Sequence, residues 1–461
     1  MRLVRGVFDL GARTIALGAS LMAQGRLRPW MDGLEQQERR DMGIDLMQVV
    51  RGPGAEDTRS RSRPQGPWRV AYIAASVTRA AREMGGVFQR MGREGFEVHV
   101  VAGEDGESGA DDLRAAGVAV RALPDLSGAN PASWIGAAVL AQAHLIEHPM
   151  ALVHAHGERM AWLGTLAARA AKAPCVVASM EDHELLRSGA THPMARSAWS
   201  ALEPIGWTPK RAWRALMDRV DRYIVHHRED LKWMLDHDLA PASRIEAVIG
   251  SPGVDFVEFD PKGPGLPTRE EALEMFGAPE RAQVVAGAFL DEDTSRERRA
   301  LSVLADYVSR QNAGVWWVVV CASPESAQHV QKFLGDRGEA LGGALEDARL
   351  AYHVMDVLVG VSASSGVDRR VLEAASMEVP TVGVSTPSRR AVIEEDQTGR
   401  LVEEGDVTGL ASVLLEEVSH RALLRARGGF ARAHVTKRFA RRAVHDQYVR
   451  LYDAVLSGRF G

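Results

Sequence analysis

The sequence predicts an α/β fold with two doubly wound parallel sheets, preceded by a helical extension. Short apolar runs rich in β-branched residues alternate with segments of helical composition, which is the pattern of parallel strands joined by helices. The length of 461 residues is about three times that of a typical domain, so two cores are expected. A charged run rich in Pro, Gly and Ser at residues 51–67 separates the N-terminal segment from the rest.

Composition and charge exclude some classes of function. The formal net charge of -5 gives no electrostatic reason to expect nucleic acid as the main partner. Cys175 and Cys321 are the two cysteines, and both lie in valine-rich runs predicted as strands. Their spacing fits neither a disulfide framework nor a zinc site, and we expect no metal site. They indicate reduced, buried thiols in a cytoplasmic protein.

Residues 1–50 are predicted to form a helical extension. Their uncharged stretch, residues 14–25, is shorter than the roughly 20 apolar residues that span a bilayer, so no transmembrane helix is expected. Asp9 and Arg13 interrupt the early apolar region, which disfavours a signal peptide. Arginines alternate with apolar residues here, and two interpretations remain open. One is an amphipathic helix at the inner face of the membrane, and the other is a helix packed on the protein itself.

The first sheet is expected to begin after the linker, with a helix at residues 78–93 following its first strand. The predicted strands are residues 68–75, 96–102, 118–123, 151–156, 174–179 and 222–226. In such a sheet, ligands bind at the carboxyl ends of the strands. Ser76, Thr78 and Arg79 follow the first strand and are candidate phosphate ligands through their side chains. His156 ends a later strand and is expected to line the same edge.

The second sheet is expected to contain a strand, helix, strand unit that carries the binding chemistry. The predicted strands are residues 283–289, 315–322, 356–361 and 380–384. Residues 364–366 (Ser-Ser-Gly) end one strand and precede a helix at 368–377, where backbone N–H groups can bind an anion. Glu373 lies inside that helix. It is either a solvated surface carboxylate or a ligand-binding residue.

Several stretches resemble a known family. The motifs "DVLVGVSASSG", "LEAASMEVPTV" and "TGRLVEEGD" resemble the donor-site segment of the family 4 glycosyltransferases. The similarity extends, with gaps, through "GREGFEVHVVAGE", "VHAHGERMAWLGTLAARAAKAPCVV", "DRYIVHHREDLKWML" and "GVDFVEFDP". The resemblance implies a GT-B fold, in which two Rossmann-like domains face a cleft. The implied divisions are an extension and linker at 1–66, an acceptor-side domain at 67–254, a nucleotide-sugar domain at 255–435 and a returning C-terminal helix at 436–461.

The resemblance also implies which residues clamp the donor diphosphate. Relatives carry an arginine just after a strand glycine, and a lysine some residues later. Here Gly287 is followed by Ala288, and the later basic position falls on Arg296, Arg298 or Arg299. A guanidinium there would bind phosphate as a fork-shaped donor. The alternative interpretation is a solvated basic start of a helix.

The sugar and ribose contacts are implied in the same way. Glu181 stands where relatives place a histidine near the donor sugar, with His183 two residues later, and an ionised carboxylate cannot donate a hydrogen bond. Relatives carry two glutamates eight positions apart. Glu373 keeps the second, which implies a ribose contact, while Ser365 replaces the first. Ser365 and the retained Gly366 amide are expected to face the sugar.

The resemblance implies a cytoplasmic, metal-independent, retaining hexosyltransferase that moves a sugar from a nucleotide sugar to a lipid-linked or polysaccharide acceptor. No cofactor is expected, because the nucleotide sugar is a substrate. Three diverged motif positions keep an alternative open, namely a catalytically degenerate relative that serves as a binding or scaffold subunit in polysaccharide assembly. Peripheral membrane contact through the N-terminal helix belongs to either interpretation.

Overall fold

The computed structural model describes residues 67–458 with internal gaps. The gaps are residues 106, 125, 127–130, 181–213, 215, 249–250, 252, 291–293, 313, 344–346 and 362–367. The predicted extension and linker therefore lie outside the described residues. The chain divides into two compact units, Met1–Val248 with His445–Gly461, and Ile249–Val444. None of the helices within the described ranges has the length and apolar character needed to traverse a bilayer.

Seven strands form one parallel sheet in the first unit. They are β1 (Trp68–Ala74), β2 (Phe96–Gly103), β3 (Ala119–Leu123), β4 (Leu152–His156), β5 (Cys175–Ser179), β6 (Arg222–Val225) and β7 (Ile245–Ala247). Their order across the sheet is β3-β2-β1-β4-β5-β6-β7. The central strands are almost completely buried, as their runs of valine, alanine and isoleucine require when helices cover both faces.

The described helices of this unit follow the strands in alternation. They are α1 (Val77–Arg93), α2 (Glu107–Ala115), α3 (Pro131–Glu147), α4 (Glu158–Ala170) and α5 (Arg228–Asp236). In α1 the buried side chains recur every three or four positions, which gives the helix one apolar stripe against the sheet. They are Val77, Ala80, Met84, Val87, Phe88 and Met91.

The second unit contains a six-stranded parallel sheet. Its strands are β8 (Val284–Leu290), β9 (Val315–Cys321), β10 (Gly338–Gly342), β11 (Val357–Gly360), β12 (Thr381–Val384) and β13 (Gly399–Val402). Their order is β10-β9-β8-β11-β12-β13. All seven residues of β9 are buried, including Trp317 at 0% exposure. Both Cys175 and Cys321 are free thiols.

Nine further helices complete the described chain. They are α6 (Arg269–Met275), α7 (Ser295–Gln311), α8 (Pro324–Leu334), α9 (Ala348–Val354), α10 (Arg369–Ser376), α11 (Pro387–Val392), α12 (Val407–Ser419), α13 (Arg421–Arg438) and α14 (Arg441–Ser457). The last part of α14 belongs to the first unit, because that unit includes His445–Gly461.

The predicted fold of two doubly wound parallel sheets is confirmed. Three short strands, β7, β10 and β13, were not predicted, and each lies at the edge of its sheet. Edge strands bury less side-chain surface, so their sequences (IEA, GEALG and GRLV) carry no apolar run long enough to signal a strand.

Candidate functional site

The carboxyl ends of β11 and β12 are fastened by Arg389, a residue of α11 that is 3% exposed. Its Nη1 donates to the carbonyl oxygens of Gly360, at 3.2 Å, and Val384, at 2.9 Å. Its Nε donates to the Asp368 carboxylate at 2.8 Å. Asp368 is the N-cap of α10, where it accepts from the Val371 amide. This largely buried ion pair fixes the start of α10 at the carboxyl edge of the sheet.

Gly360 makes room for this arrangement. A Cβ atom at Gly360 would lie 2.6 Å from the guanidinium carbon of Arg389, which is too close for any other residue type without a shift of the arginine. Arg389 lies in no sequence pattern that identifies it as a residue of this site. The glycine at the end of a valine-rich strand was the one local signal of a close approach.

Glu373 is buried, at 1% exposure, so the interpretation of it as a solvated surface glutamate is wrong. The Tyr352 hydroxyl donates to its Oε2 at 2.8 Å. Arg369 donates from Nε to its Oε1, and Arg370 Nη1 lies 3.4 Å from Oε2. A buried carboxylate requires such donors, because its desolvation is otherwise very costly.

Tyr352 and Phe289 complete a cluster around this glutamate. Burial, and next the charge of Glu373, raise the pKa of Tyr352 well above its usual value, so its hydroxyl stays protonated and donates. The rings of Phe289 and Tyr352 have centroids 5.0 Å apart, and the guanidinium of Arg370 lies 4.3 Å over the Phe289 ring. We call Phe289, Tyr352, Arg369, Arg370 and Glu373 the Glu373 cluster. Phe289 near the end of β8, and the first turn of α10, place it at the carboxyl edge.

Gly287, a candidate donor-site residue, lies buried within β8. The space that its side chain would occupy is filled by Met355, whose Sδ would be 2.1 Å from a Cβ. Close packing therefore accounts for this glycine. The next residue, Ala288, is 0% exposed and offers no polar group to a ligand.

Arg296 and Arg298 lie in the first turn of α7, which begins with a capping box formed by Thr294 and Glu297. The Arg296 side chain is 76% exposed and forms an ion pair at 3.0 Å with Glu404. That pair lies outside the Glu373 cluster. The cations that the structure places beside Glu373 are instead Arg369 and Arg370, which the sequence analysis did not single out.

At the carboxyl edge of the first sheet, the three candidates after β1 make local contacts. The Ser76 hydroxyl is the N-cap of α1 and accepts from the Arg79 amide at 2.8 Å. The Arg79 guanidinium pairs with Glu83 at 2.8 Å. The Thr78 amide donates to Asp105 at 3.1 Å, while its buried hydroxyl has no hydrogen-bond partner among the described residues. Of the three side chains, the Thr78 hydroxyl is thus the one for which these residues provide no hydrogen-bond partner.

The same edge carries a chain of hydrogen bonds that ends at His156. Tyr452 contacts His154 Nδ1 through its hydroxyl, His154 Nε2 lies 2.7 Å from Ser179 Oγ, and Ser179 Oγ lies 2.7 Å from His156 Nδ1. His154 is fully buried. Burial first, and then the nearby His156 and His226, lower the pKa of His154 well below its usual value, so it is neutral.

Four candidates, Glu181, His183, Ser365 and Gly366, lie outside the described residues, and their roles stay predictions. Within the described ranges, no group of three or more His, Cys, Asp or Glu side chains is arranged to hold a metal ion.

Two doubly wound parallel sheets in consecutive units are the architecture of the GT-B class of glycosyltransferases. The model described as Glycosyltransferase Family 4 matches residues 85–255, and the model described as Glycosyl transferases group 1 matches residues 286–419. The chain belongs to the family 4 glycosyltransferases, and the resemblance inferred from its motifs is confirmed.

Solved structures with the same fold cover most of the chain. A glycosyltransferase from Rickettsia africae has a TM-score of 0.64 at 15% identity over 85% of this chain and 99% of its own. HepE from Anabaena, in complex with UDP and glucose, has a TM-score of 0.63 at 14% identity over 84% of this chain and 100% of its own. Sucrose-phosphate synthase from Thermosynechococcus elongatus gives 0.65 at 15% identity over 85% and 100%.

One curated relative matches over a shorter stretch. It is the N-acetyl-alpha-D-glucosaminyl L-malate synthase of Bacillus anthracis, which is 31% identical over 101 residues. The match spans 22% of this chain and 26% of that relative.

Proposed function

We propose that this chain is a retaining, metal-independent hexosyltransferase that moves a sugar from a nucleotide sugar to a lipid-linked or polysaccharide acceptor. Family membership supports transfer of a sugar. The structures of HepE with UDP and glucose and with UDP-glucose support a nucleotide-sugar donor. The feature of this chain that carries the proposal is the buried Glu373 with its fixed donors at the carboxyl edge of the second sheet.

The proposed reaction exchanges one bond at the anomeric carbon for another. The bond from that carbon to the diphosphate oxygen breaks, and the nucleoside diphosphate leaves with the electron pair. A bond to the acceptor oxygen forms, and the acceptor hydroxyl gives its proton to the departing diphosphate oxygen. Cations near the leaving diphosphate lower the barrier, because negative charge develops there. Arg369 and Arg370, in the first turn of α10, are our candidates for this role in place of the arginine that Ala288 replaces.

Glu373 would hold the nucleotide through its ribose. An ionised carboxylate offers about four acceptor sites. Tyr352 and Arg369 use two of them, and Arg370 approaches a third at 3.4 Å. One acceptor site therefore remains for a ribose hydroxyl, but Glu373 is 1% exposed, so the ribose can reach it only if a neighbouring side chain such as Arg370 turns away. Displacement of Arg370 toward the diphosphate would open Glu373 to the ribose and would also place a cation beside the leaving group.

Calorimetry with uridine and guanosine diphosphates, and turnover with a panel of nucleotide sugars, test this proposal. We expect Glu373→Gln to weaken nucleotide binding about tenfold or more, since loss of a hydrogen bond to a charged group costs roughly 1.5 to 3 kcal/mol. Glu417→Gln is the matched control. Glu417 is equally buried and pairs with the buried Arg427, but it lies near the end of α12. Absence of both binding and donor hydrolysis in the natural protein would refute the proposal.

A thermodynamic cycle isolates the ribose contact. A 2′-deoxy nucleotide should bind the natural protein more weakly by a similar factor, and should lose little further affinity for Glu373→Gln. The reason is that both changes remove the same hydrogen bond. Additive losses would show that the carboxylate and the ribose do not meet.

The second candidate function, a catalytically degenerate binding or scaffold subunit, is favoured by the burial of Ala288. An arginine at this 0% exposed position would not fit the strand, so the packing of the core requires a small residue where relatives carry arginine. Ser365→Glu alone is therefore the reversion to test. Nucleotide binding without turnover in the natural protein, and turnover in Ser365→Glu, would favour the scaffold subunit.

A further inference from the structure

The buried hydrogen bonds from Tyr452 to His156 have one consistent direction. Within the described residues, the Tyr452 hydroxyl has one hydrogen-bond partner, His154 Nδ1. If His154 donated this bond, the tyrosine proton would be buried with no acceptor, which is unfavourable. Burial, and next Tyr448, raise the pKa of Tyr452 well above its usual value, so the hydroxyl keeps its proton. Tyr452 is the donor.

The direction of each remaining hydrogen bond follows from the one before it. Because His154 accepts at Nδ1 and is neutral, its single proton lies on Nε2 and is donated to Ser179 Oγ, 2.7 Å away. Ser179 has one hydroxyl proton, and it donates that proton to His156 Nδ1, also at 2.7 Å. His156 therefore accepts at Nδ1 and carries its ring proton on Nε2.

His156 lies at the end of β4, and this location determines what its Nε2 proton can do. His156 is the last residue of β4 and is partly exposed at the carboxyl edge. The ring of Tyr72 stacks on it with centroids 5.5 Å apart and an interplanar angle of 24°, which restrains the ring orientation. A neutral imidazole with the proton on Nε2 donates a hydrogen bond from that nitrogen and cannot accept a proton there.

We propose that Tyr452, His154 and Ser179 are positioning residues that hold His156 as a hydrogen-bond donor to an oxygen atom of the substrate, a sugar hydroxyl or a phosphate oxygen. The assignment of the ligand rests on the proposed glycosyltransferase function, but the assignment of the tautomer does not. His156 then orients or stabilises substrate oxygen, and it does not serve as the general base at Nε2.

Nuclear magnetic resonance of the full-length protein with ¹⁵N-labelled histidine tests the tautomer directly. We expect the ring nitrogen shifts of His154 and His156, assigned with His154→Gln and His156→Gln, to show a proton on Nε2 and none on Nδ1. A proton on Nδ1 of both rings would mean that the chain runs the other way and would overturn the proposal. Tyr307→Phe is the control, since it removes a hydroxyl from a 44% exposed tyrosine of α7 in the second unit, and it should leave both patterns unchanged.

Turnover of the nucleotide sugar tests the role of the proton on His156 Nε2. His156→Gln keeps a donor near the position of Nε2, whereas His156→Phe removes it. We expect His156→Phe to lower kcat/KM at least about tenfold and His156→Gln to recover most of that loss, with thermal transitions that match. Equal loss in both variants would overturn the donor role. If the natural protein turns over no nucleotide sugar, the proposed function fails, while the nitrogen shifts still decide the tautomer.

Discussion

Replacing Tyr352 with phenylalanine removes one hydroxyl group from the Glu373 cluster and leaves the aromatic ring. The hydroxyl donates to Glu373 Oε2 at 2.8 Å, and both residues are at most 1% exposed. The ring contacts with Phe259 and Phe289 do not involve the hydroxyl, so little packing is lost. A hydrogen bond to a buried charge contributes about 1.5 to 3 kcal/mol, and we expect the free energy of unfolding to fall by this amount.

Urea unfolding followed by tryptophan fluorescence measures this change, because Trp316 and Trp317 report on the core of the second unit. Tyr307→Phe is the control. That tyrosine is 44% exposed on α7 and should alter the free energy by less than about 0.5 kcal/mol. A double-mutant cycle with Glu373→Gln should give a coupling of about 1 kcal/mol or more, because the two changes disrupt one bond. If Tyr352→Phe lowers the free energy of unfolding no more than Tyr307→Phe does, and shows no coupling to Glu373→Gln, then the Tyr352 hydroxyl does not stabilise Glu373.

Three further predictions concern other parts of the chain. Burial, and then the charges of His99, His148 and Arg121, lower the pKa of His144 to about 3, so protons bind the unfolded chain more readily. The free energy of unfolding therefore falls as the pH is lowered from about 6.5 toward 3, while above about pH 6.5 this group has no effect on it. The fall is at most about 1.4 kcal/mol per pH unit, and less because the ring is partly exposed. His144→Gln should flatten the dependence of urea midpoints on pH over that window, and an unchanged slope would contradict it. Arg389→Met should cost up to about 3 to 5 kcal/mol in urea unfolding, because Asp368, whose side chain is 10% exposed, loses its cation, and Asp368→Asn in the same protein should recover part of it. Deletion of residues 1–66 should leave the thermal transition nearly unchanged but reduce sedimentation with anionic liposomes, and a strongly lowered transition would instead show that the segment packs as core.

The sequence was most informative where one stretch of chain determines its own structure. The continuous apolar run of β9 and the short helix around Glu373 were both predictable, because burial on two faces and helical composition are local properties. The partners of Glu373 were only partly predictable. Arg369 and Arg370 are its neighbours in the helix, but Tyr352 reaches it from another helix and carries no pattern that identifies it as a donor.

Long-range contacts explain what the sequence could not show. Arg389 and Asp368 are 21 positions apart and meet because two strand ends are adjacent in the sheet. The order of strands, and not the spacing of residues, creates the pair. His156 was recognised as the end of a strand, but its tautomer depends on a tyrosine in the last helix.

The hydrogen bond between His154 and Tyr452 also affects when the first unit can finish folding during synthesis. The two residues are 298 positions apart, yet both belong to the first unit. At about 5 to 20 residues per second, a ribosome needs roughly 15 to 60 s to make the intervening chain. Throughout that interval the nascent first unit lacks its closing helix, and the acceptor on His154 has no tyrosine to satisfy it. The first unit is thus completed only after the second unit has been synthesised, and a chain that terminates before Tyr452 lacks this hydrogen bond.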